Sequence, residues 1–182
     1  MKKVLGVLGK PGAGKDTFCD YFKELNDSVE VIKFSDALSE ILLMFLDRVK
    51  REDQQWLVNN LRDRFGEDVL ARATKKKIKS LESDFILLNG VRVEDDKEMV
   101  RQVGGQLVYL KTDPKKRWKR MKERGEKQDD NVSFEKFLEL DKGRSEKDIE
   151  KIGKEADFII DNNKSKEELK KQVKNLIKEL NG

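Results

Sequence analysis

The chain has 182 residues, 36% of them hydrophobic and 42% charged, with 40 Lys and Arg against 36 Asp and Glu. That length supports one domain with a sizeable core, and a net charge of +4 is too small beside the charge total to call for a nucleic-acid partner. The lack of histidine excludes histidine acid–base chemistry and most zinc sites, the single cysteine, Cys19, excludes an internal disulfide, and no apolar run is long enough to span a membrane.

The segment 3–9, KVLGVLG, is apolar and rich in Val and Leu without polar alternation, as expected of a buried strand in a parallel sheet. It meets a Gly-Lys-Pro-Gly turn too early for a signal peptide, so a cytoplasmic location is expected. Residues 16–26 predict a helix with Phe18, Tyr21, Phe22 and Leu25 on one face, and Cys19 fits its core side. A second strand spans 29–34, and Ser35 or Asp36 can cap a helix running through ALSEILLMFLDRV, 37–49. Helical spacing continues through 54–65 and 67–81. DFILLNG, 84–90, predicts a third buried strand, 94–103 a helix and QLVYLK, 106–111, a fourth strand.

Thr112-Asp113-Pro114 supplies a cap and a first-turn proline for the helix KKRWKRMKER. After a polar break at 125–132, the segment 133–156 is mostly helical in pattern, and 157–161 is a fifth short strand. Ser165 with Glu168 forms a capping box for a last helix whose Leu169, Val173, Leu176, Ile177 and Leu180 make one apolar stripe. Strands alternating with helices predict an α/β fold, a three-layer sandwich with a five-stranded parallel sheet and helices on both faces.

Gly9-Lys10-Pro11-Gly12-Ala13-Gly14-Lys15 fits G-x-x-x-x-G-K between a buried strand and a helix, the context this phosphate-loop pattern requires. Glycines let the backbone curl so that successive N–H groups point at phosphate oxygens, and the helix N-terminus adds its positive end. Lys15 brings a full charge to the β- and γ-phosphates. Asp16 stands where a Ser or Thr would ligate magnesium. Its carboxylate can hold the metal directly or through water, or it can simply complement the helix dipole. Thr17 can add a hydroxyl to the α-phosphate or remain a surface residue. A nucleoside triphosphate with Mg2+ is therefore the expected ligand, and the resemblance given next implies ATP.

From GKPGAGKDT onward the chain resembles the P-loop nucleoside-monophosphate-kinase-like family, which includes adenylate kinases, dephospho-coenzyme A kinases and deoxynucleoside monophosphate kinases. The Gly-Lys-Asp-Thr ending looks most like the last of these, and the chain from RFGEDVLARATKKKIKS onward also resembles uncharacterised archaeal adenylate-kinase-like proteins. The resemblance implies one P-loop kinase domain over 1–182, with an acceptor-binding helical region at about 36–81 and a short helical lid at about 120–145.

The resemblance also implies roles for particular residues. Asp36 matches an acid that faces the acceptor, and it is equally placed to cap its helix. Ser39 replaces an arginine that many relatives use for the acceptor phosphate. LLNGVR matches a strand end that relatives write with Asp before the Gly, so Asn89 replaces a magnesium-orienting carboxylate. Asp16 then offers a carboxylate from the opposite wall. Arg92 resembles an acceptor-phosphate ligand, with an ion pair to Glu94 or Asp95 as the plainer role. Arg120 and Arg124 match the arginine pair that begins a mobile lid, KQDD at 127–130 resembles its Arg-x-Asp-Asp with Lys127 in place of Arg, and Arg144 matches a later lid arginine. The alternative is a solvated basic helix, since Lys115, Lys116, Arg117 and Lys119 crowd the same stretch. The short break excludes a zinc-binding lid.

The function so implied is an ATP-dependent phosphotransferase, a (deoxy)nucleoside monophosphate kinase or a dephospho-coenzyme A kinase. Its partner would be a small nucleotide acceptor, with no membrane or nucleic acid required and a monomer or homodimer expected. A nucleotide-dependent regulatory protein or an RNA-associated ATPase using the Trp118-containing helix forms the competing class.

Overall fold

Five apolar runs pair side by side and in parallel, in the order β2-β3-β1-β4-β5. They are β1 (Lys3–Leu8), β2 (Val29–Ile32), β3 (Phe85–Val91), β4 (Gln106–Lys111) and β5 (Phe158–Asp161). The computed structural model describes residues 2–125, 131–141 and 144–182, with only the backbone of Arg51 and residues 144–147. Because the strands are parallel, each ends at the same edge of the sheet. The loops leaving β1 to β5 therefore share one rim, which is where open α/β sheets place their ligands.

Alternation along β1 divides the core between two faces. Leu5 and Val7 join α1 (Lys15–Glu24) and α9 (Lys166–Asn181) in one cluster with Phe18, Cys19, Phe22, Val173 and Leu176. Val4 and Leu8 face the other side, where Ile78, Met99, Val100 and Ile152 arrive from α4 (Val69–Ser80), α5 (Glu94–Gln102) and α8 (Arg144–Gly153). The result is the three-layer α/β sandwich that the strand–helix alternation implies. Phe22 is fully buried between Phe18 and Phe85, at ring separations of 6.0 and 5.2 Å. Burying each such side chain contributes about 1.5–3 kcal/mol. Cys19 lies in this layer, and burial, reinforced by Asp16, pushes its thiol up to about 12. It is a core residue and not a nucleophile.

Side chains cap two helices at the residues the sequence indicates, although the expected Ser165–Glu168 capping box is only half made, with no return bond from the Glu168 carboxylate among the described residues. The Asp113 carboxylate accepts from the N–H groups of Lys115 and Lys116 at the start of α6 (Pro114–Arg124), at 2.9 and 3.4 Å, and Ser165 accepts from Glu168 N–H at 3.3 Å.

One expected helix ends early. The helix expected through 37–49 is α2 (Asp36–Leu43), which stops before Met44. Leu38 and Leu42 face inward, but residues 41–46 are consecutively apolar and define no single face; Leu43, Met44 and Phe45 stay exposed. The chain then turns into α3 (Arg51–Phe65). Within the segment expected to be mostly helical over 133–156, the described residues form α7 (Phe134–Leu140) and α8, and residues 142 and 143 lie outside the described residues.

Candidate functional site

The loop at residues 9–14 joins β1 to α1 and bends back on itself. Gly12 has φ 76° and Gly14 φ 92°, a region that side-chain-bearing residues rarely adopt. Space imposes the same choice. A Cβ at Gly12 would lie 2.6 Å from the Arg117 carbonyl oxygen, and one at Gly14 would lie 2.4 Å from Asn162 Nδ2.

The loop's outward carbonyls are tied down by neighbouring loops of the same rim. Ala13 O accepts from Asn162 Nδ2 at 2.8 Å and from Thr112 Oγ1 at 3.1 Å. Gly14 caps α1 in the left-handed conformation with no side-chain partner, and the first intrahelical bond runs from Phe18 N–H to Gly14 O at 2.9 Å. The N–H groups at the start of α1 have no acceptor within the helix, which suits the site to an anion. Lys15 Nζ folds back to donate to Gly9 O at 2.6 Å and Lys10 O at 3.4 Å.

On one side of the loop, Asn89 Nδ2 donates to Asp16 Oδ1 at 2.7 Å. Asn89 is buried at the end of β3, opposite Val7, just before Gly90 enters as the extra residue of a bulge. The two residues that depart from the family pattern are thus direct partners. Lys33 Nζ stands 3.9 Å from the same Asp16 oxygen, and Asp36 Oδ2 accepts from Lys33 N–H at 2.7 Å. Asp36 therefore closes a local turn ahead of α2 as its first helical residue. Ser35 holds the cap position without a side-chain bond. Ser39 is occupied as well, accepting from Gln54 Nε2 at 2.7 Å.

Arg92 lies three residues beyond Asn89 with an exposed side chain, and among the described residues it forms no ion pair. The pairing expected with Glu94 or Asp95 is not formed, because Glu94 is drawn to Lys97 and Lys151. The Arg92 N–H is instead held by Asp96, at 2.9 Å. Burial raises the Asp96 carboxyl above the ordinary value, against the opposing pull of the Arg92 and Val93 N–H groups.

On the opposite side, Arg120 Nη2 donates to Asn162 O at 3.0 Å, while its Nη1 is buried without a hydrogen-bond partner among the described residues. That Nη1 lies 3.8 Å from where a Cβ on Gly14 would be. Burial lowers the guanidinium's proton affinity, with Glu123 opposing. Arg124, one turn further on, is half-buried. Lys127 and the rest of 127–130 lie outside the described residues, as does the side chain of Arg144 at the start of α8. Trp118 does not form an open platform: its indole N–H donates to Val132 O at 2.9 Å and its ring packs 5.5 Å from Phe134.

Sequence reasoning missed a charged group behind the loop. Arg117, 2% exposed, grips Asp141 with both terminal nitrogens, Nη1 to Oδ1 at 2.6 Å and Nη2 to Oδ2 at 2.7 Å. Lys10 Nζ reaches Asp141 Oδ2 at 3.2 Å and Glu150 Oε1 at 2.6 Å. Burial works against both charges, yet Arg117 and Lys10 hold Asp141 below the ordinary carboxylate range, and Glu150 and Asp141 hold Lys10 above its usual value. One signal was present in the sequence: Arg117 precedes the buried Met121 by four residues and shares its inward helix face.

Comparisons with known proteins agree with this architecture. The family model described as AAA domain matches residues 5–138. A UPF0200 protein of Sulfurisphaera tokodaii is 26% identical over 179 residues, covering 98% of this chain and 97% of its own. One of Saccharolobus solfataricus is 28% identical over 173 residues, covering 93% and 89%. Among solved structures, TT1252 from Thermus thermophilus has a TM-score of 0.61 at 18% identity, covering 100% of this chain and 99% of its own. A shikimate kinase from Acinetobacter baumannii in complex with shikimate has the same score and identity over 99% and 93%.

Because Asp141 binds protons less readily folded than unfolded, its contribution to stability is whole above the ordinary carboxylate range. It is lost as pH falls below about 4. Thermal melting across that acid range should show a decline that is shallower in Asp141→Asn than in the unsubstituted chain. Parallel declines would remove Asp141 from the account of acid sensitivity.

Proposed function

The chain belongs to the AAA domain family, and from that premise we propose that it is an ATP-dependent phosphotransferase acting on a small nucleotide, a (deoxy)nucleoside monophosphate in the first instance. The observation that carries this is the connected rim around the phosphate loop. Arg120 and Asn162 flank Ala13 and Gly14 on one side, and Asp16, Asn89, Lys33 and Asp36 are linked on the other. Arg120 and the Asn162 amide lie on one wall, with the Asp16 and Asp36 carboxylates, the Asn89 amide and the Lys33 ammonium on the other. Phosphoryl transfer needs such positioning and charge neutralisation more than covalent participation.

In this account the α1 N-terminus and the amides of residues 12–17 hold the nucleotide's phosphates. Gly9 and Pro11 set the loop's entry, and Lys15 swings from Gly9 O to the β- and γ-phosphates. Thr17 offers its hydroxyl to the α-phosphate. Arg120 and Arg124 place guanidinium charge against the migrating group. Arg92 and Arg144 hold the acceptor's phosphate, and Asp36 orients it.

The Asp16 carboxylate is exposed on one side and braced by Asn89 on the other, and hard oxygens of this kind fit Mg2+. Asp16 and Asn89 would hold the ion, with the amide directing the carboxylate. When bound, the ion neutralises phosphate charge. Ser39 gives a second reading its footing: with a neutral residue in the arginine's place, an acceptor alcohol such as dephospho-coenzyme A fits the site as well.

An ADP-release panel with ATP and magnesium tests this, using nucleoside monophosphates, their deoxy forms, dephospho-coenzyme A and shikimate as acceptors. One acceptor class should drive stoichiometric ADP formation, and Lys15→Met should lower that rate by about a hundredfold or more. ATP turnover that responds to RNA and to none of these acceptors would contradict the proposal.

The metal assignment has its own test. Asp16→Ser and Asn89→Asp should each weaken Mn2+ binding in the presence of ATP, and the double variant should recover much of the loss. Additive losses would separate the two residues.

A further inference from the structure

We propose that Asp141 is a positioning residue for the phosphate loop, acting through Lys10 and Arg117 to fix the course of residues 10–12; its bearing on nucleotide affinity rests on the function proposed above. Three consecutive loop residues are referenced to the Arg117–Asp141 pair. Lys10 is held through its ammonium, which reaches Asp141 Oδ2 at 3.2 Å, the Asp141 carbonyl at 3.4 Å and Glu150 Oε1 at 2.6 Å. Pro11 is held through its carbonyl, which accepts from Arg117 Nη1 at 3.4 Å. Gly12 is held by exclusion, since the Arg117 carbonyl fills the space its side chain would need.

The guanidinium is itself fixed from every direction. Both terminal nitrogens meet Asp141, Nε donates to Thr112 O at 3.2 Å, and Cζ lies 5.2 Å from the Phe137 ring centre. Thr112 closes the circuit, because its hydroxyl donates to Ala13 O.

A buried ion pair adds little net stability over apolar packing of the same shape, so stability alone gives a weak reason for three buried charges here. What such a pair does supply is direction. The loop has two left-handed glycines within three residues, and its amides must be held to within about 0.5 Å to meet an anion without reorganising. Asp141 arrives from the end of α7, a different element from the loop and from α6, and so it ties the loop to a second helix beside the one that carries Arg117. Lys10, neutralised by Asp141 and Glu150, is turned away from phosphate work, which is left to Lys15.

The test uses the full chain with Asp141→Asn, which keeps the size and removes the charge, and Asp141→Glu, which restores the charge. Lys10→Met serves as a milder variant that leaves the Arg117–Asp141 pair whole. Two readouts are taken: hydrogen exchange at the Ala13 amide without nucleotide, where the protecting bond is to Lys10 O at 3.0 Å, and calorimetric ATP affinity with magnesium. Asp141→Asn should speed Ala13 exchange by about tenfold or more while β1 and β4 amides keep their rates, and should weaken ATP by about tenfold or more. Asp141→Glu should recover part of both, and Lys10→Met should fall between. Ala13 exchange and ATP affinity within about twofold of the parent, with only a lower melting temperature, would make the pair purely structural and overturn the proposal. If the parent chain takes up no ATP, the functional reading fails, and Ala13 exchange still decides the role of Asp141. If Asp141→Asn does not fold, Lys10→Met carries the same comparison.

Discussion

A chain leaving a buried parallel strand has satisfied its hydrogen bonds, and a chain entering a helix has several N–H groups that no helical carbonyl can meet. Residues 9–14 manage that transition in a curl where three glycines carry positive φ and the carbonyl of Ala13 is tied by Asn162 and Thr112. With the Ala13 carbonyl tied and its N–H on Lys10 O, the N–H groups at the start of α1 are the ones left for an anion. The rest of the rim serves that one constraint, from Asp16 with its Asn89 brace to Arg120 above Gly14. The parallel sheet matters because it delivers the exits of β3, β4 and β5 beside the exit of β1.

Two charged systems flank the loop and differ in kind. The Asp16–Asn89–Lys33–Asp36 series is open to solvent at Asp16 and Lys33, whose side chains are 74% and 54% exposed. It is placed to meet a ligand. The Lys10–Arg117–Asp141 group is largely out of water and reaches charge balance with Glu150, and on the role proposed above it holds the loop's shape. The same residue types thus do different work according to exposure, since charges in water are free to exchange partners and charges out of water must keep the partners that compensate them.

Much of the sheet and the phosphate loop was legible in the sequence, because both rest on local pattern. Consecutive Val and Leu in 3–9 and 84–90 mark strands covered on two faces, and Gly-x-x-x-x-Gly-Lys needs only its flanking strand and helix. The Ser165 and Asp113 caps were legible for the same reason. The partnerships were not. Arg117 and Asp141 stand 24 residues apart with nothing local to join them, and the role of Asn162 depends on β5 ending beside the loop. The six-residue apolar run at 41–46 misled for a different reason. It has composition without periodicity, so the helix stopped where its buried face ended.

On the function proposed above, this loop grips a polyphosphate, and the base and sugar are secondary to that grip. Thermal unfolding with Mg2+ and either tripolyphosphate or adenosine tests it most directly. Tripolyphosphate in excess should raise the melting temperature, as any ligand bound only by the folded state does, and adenosine should leave it nearly unchanged. A melting temperature indifferent to tripolyphosphate and raised by adenosine alone would contradict the account.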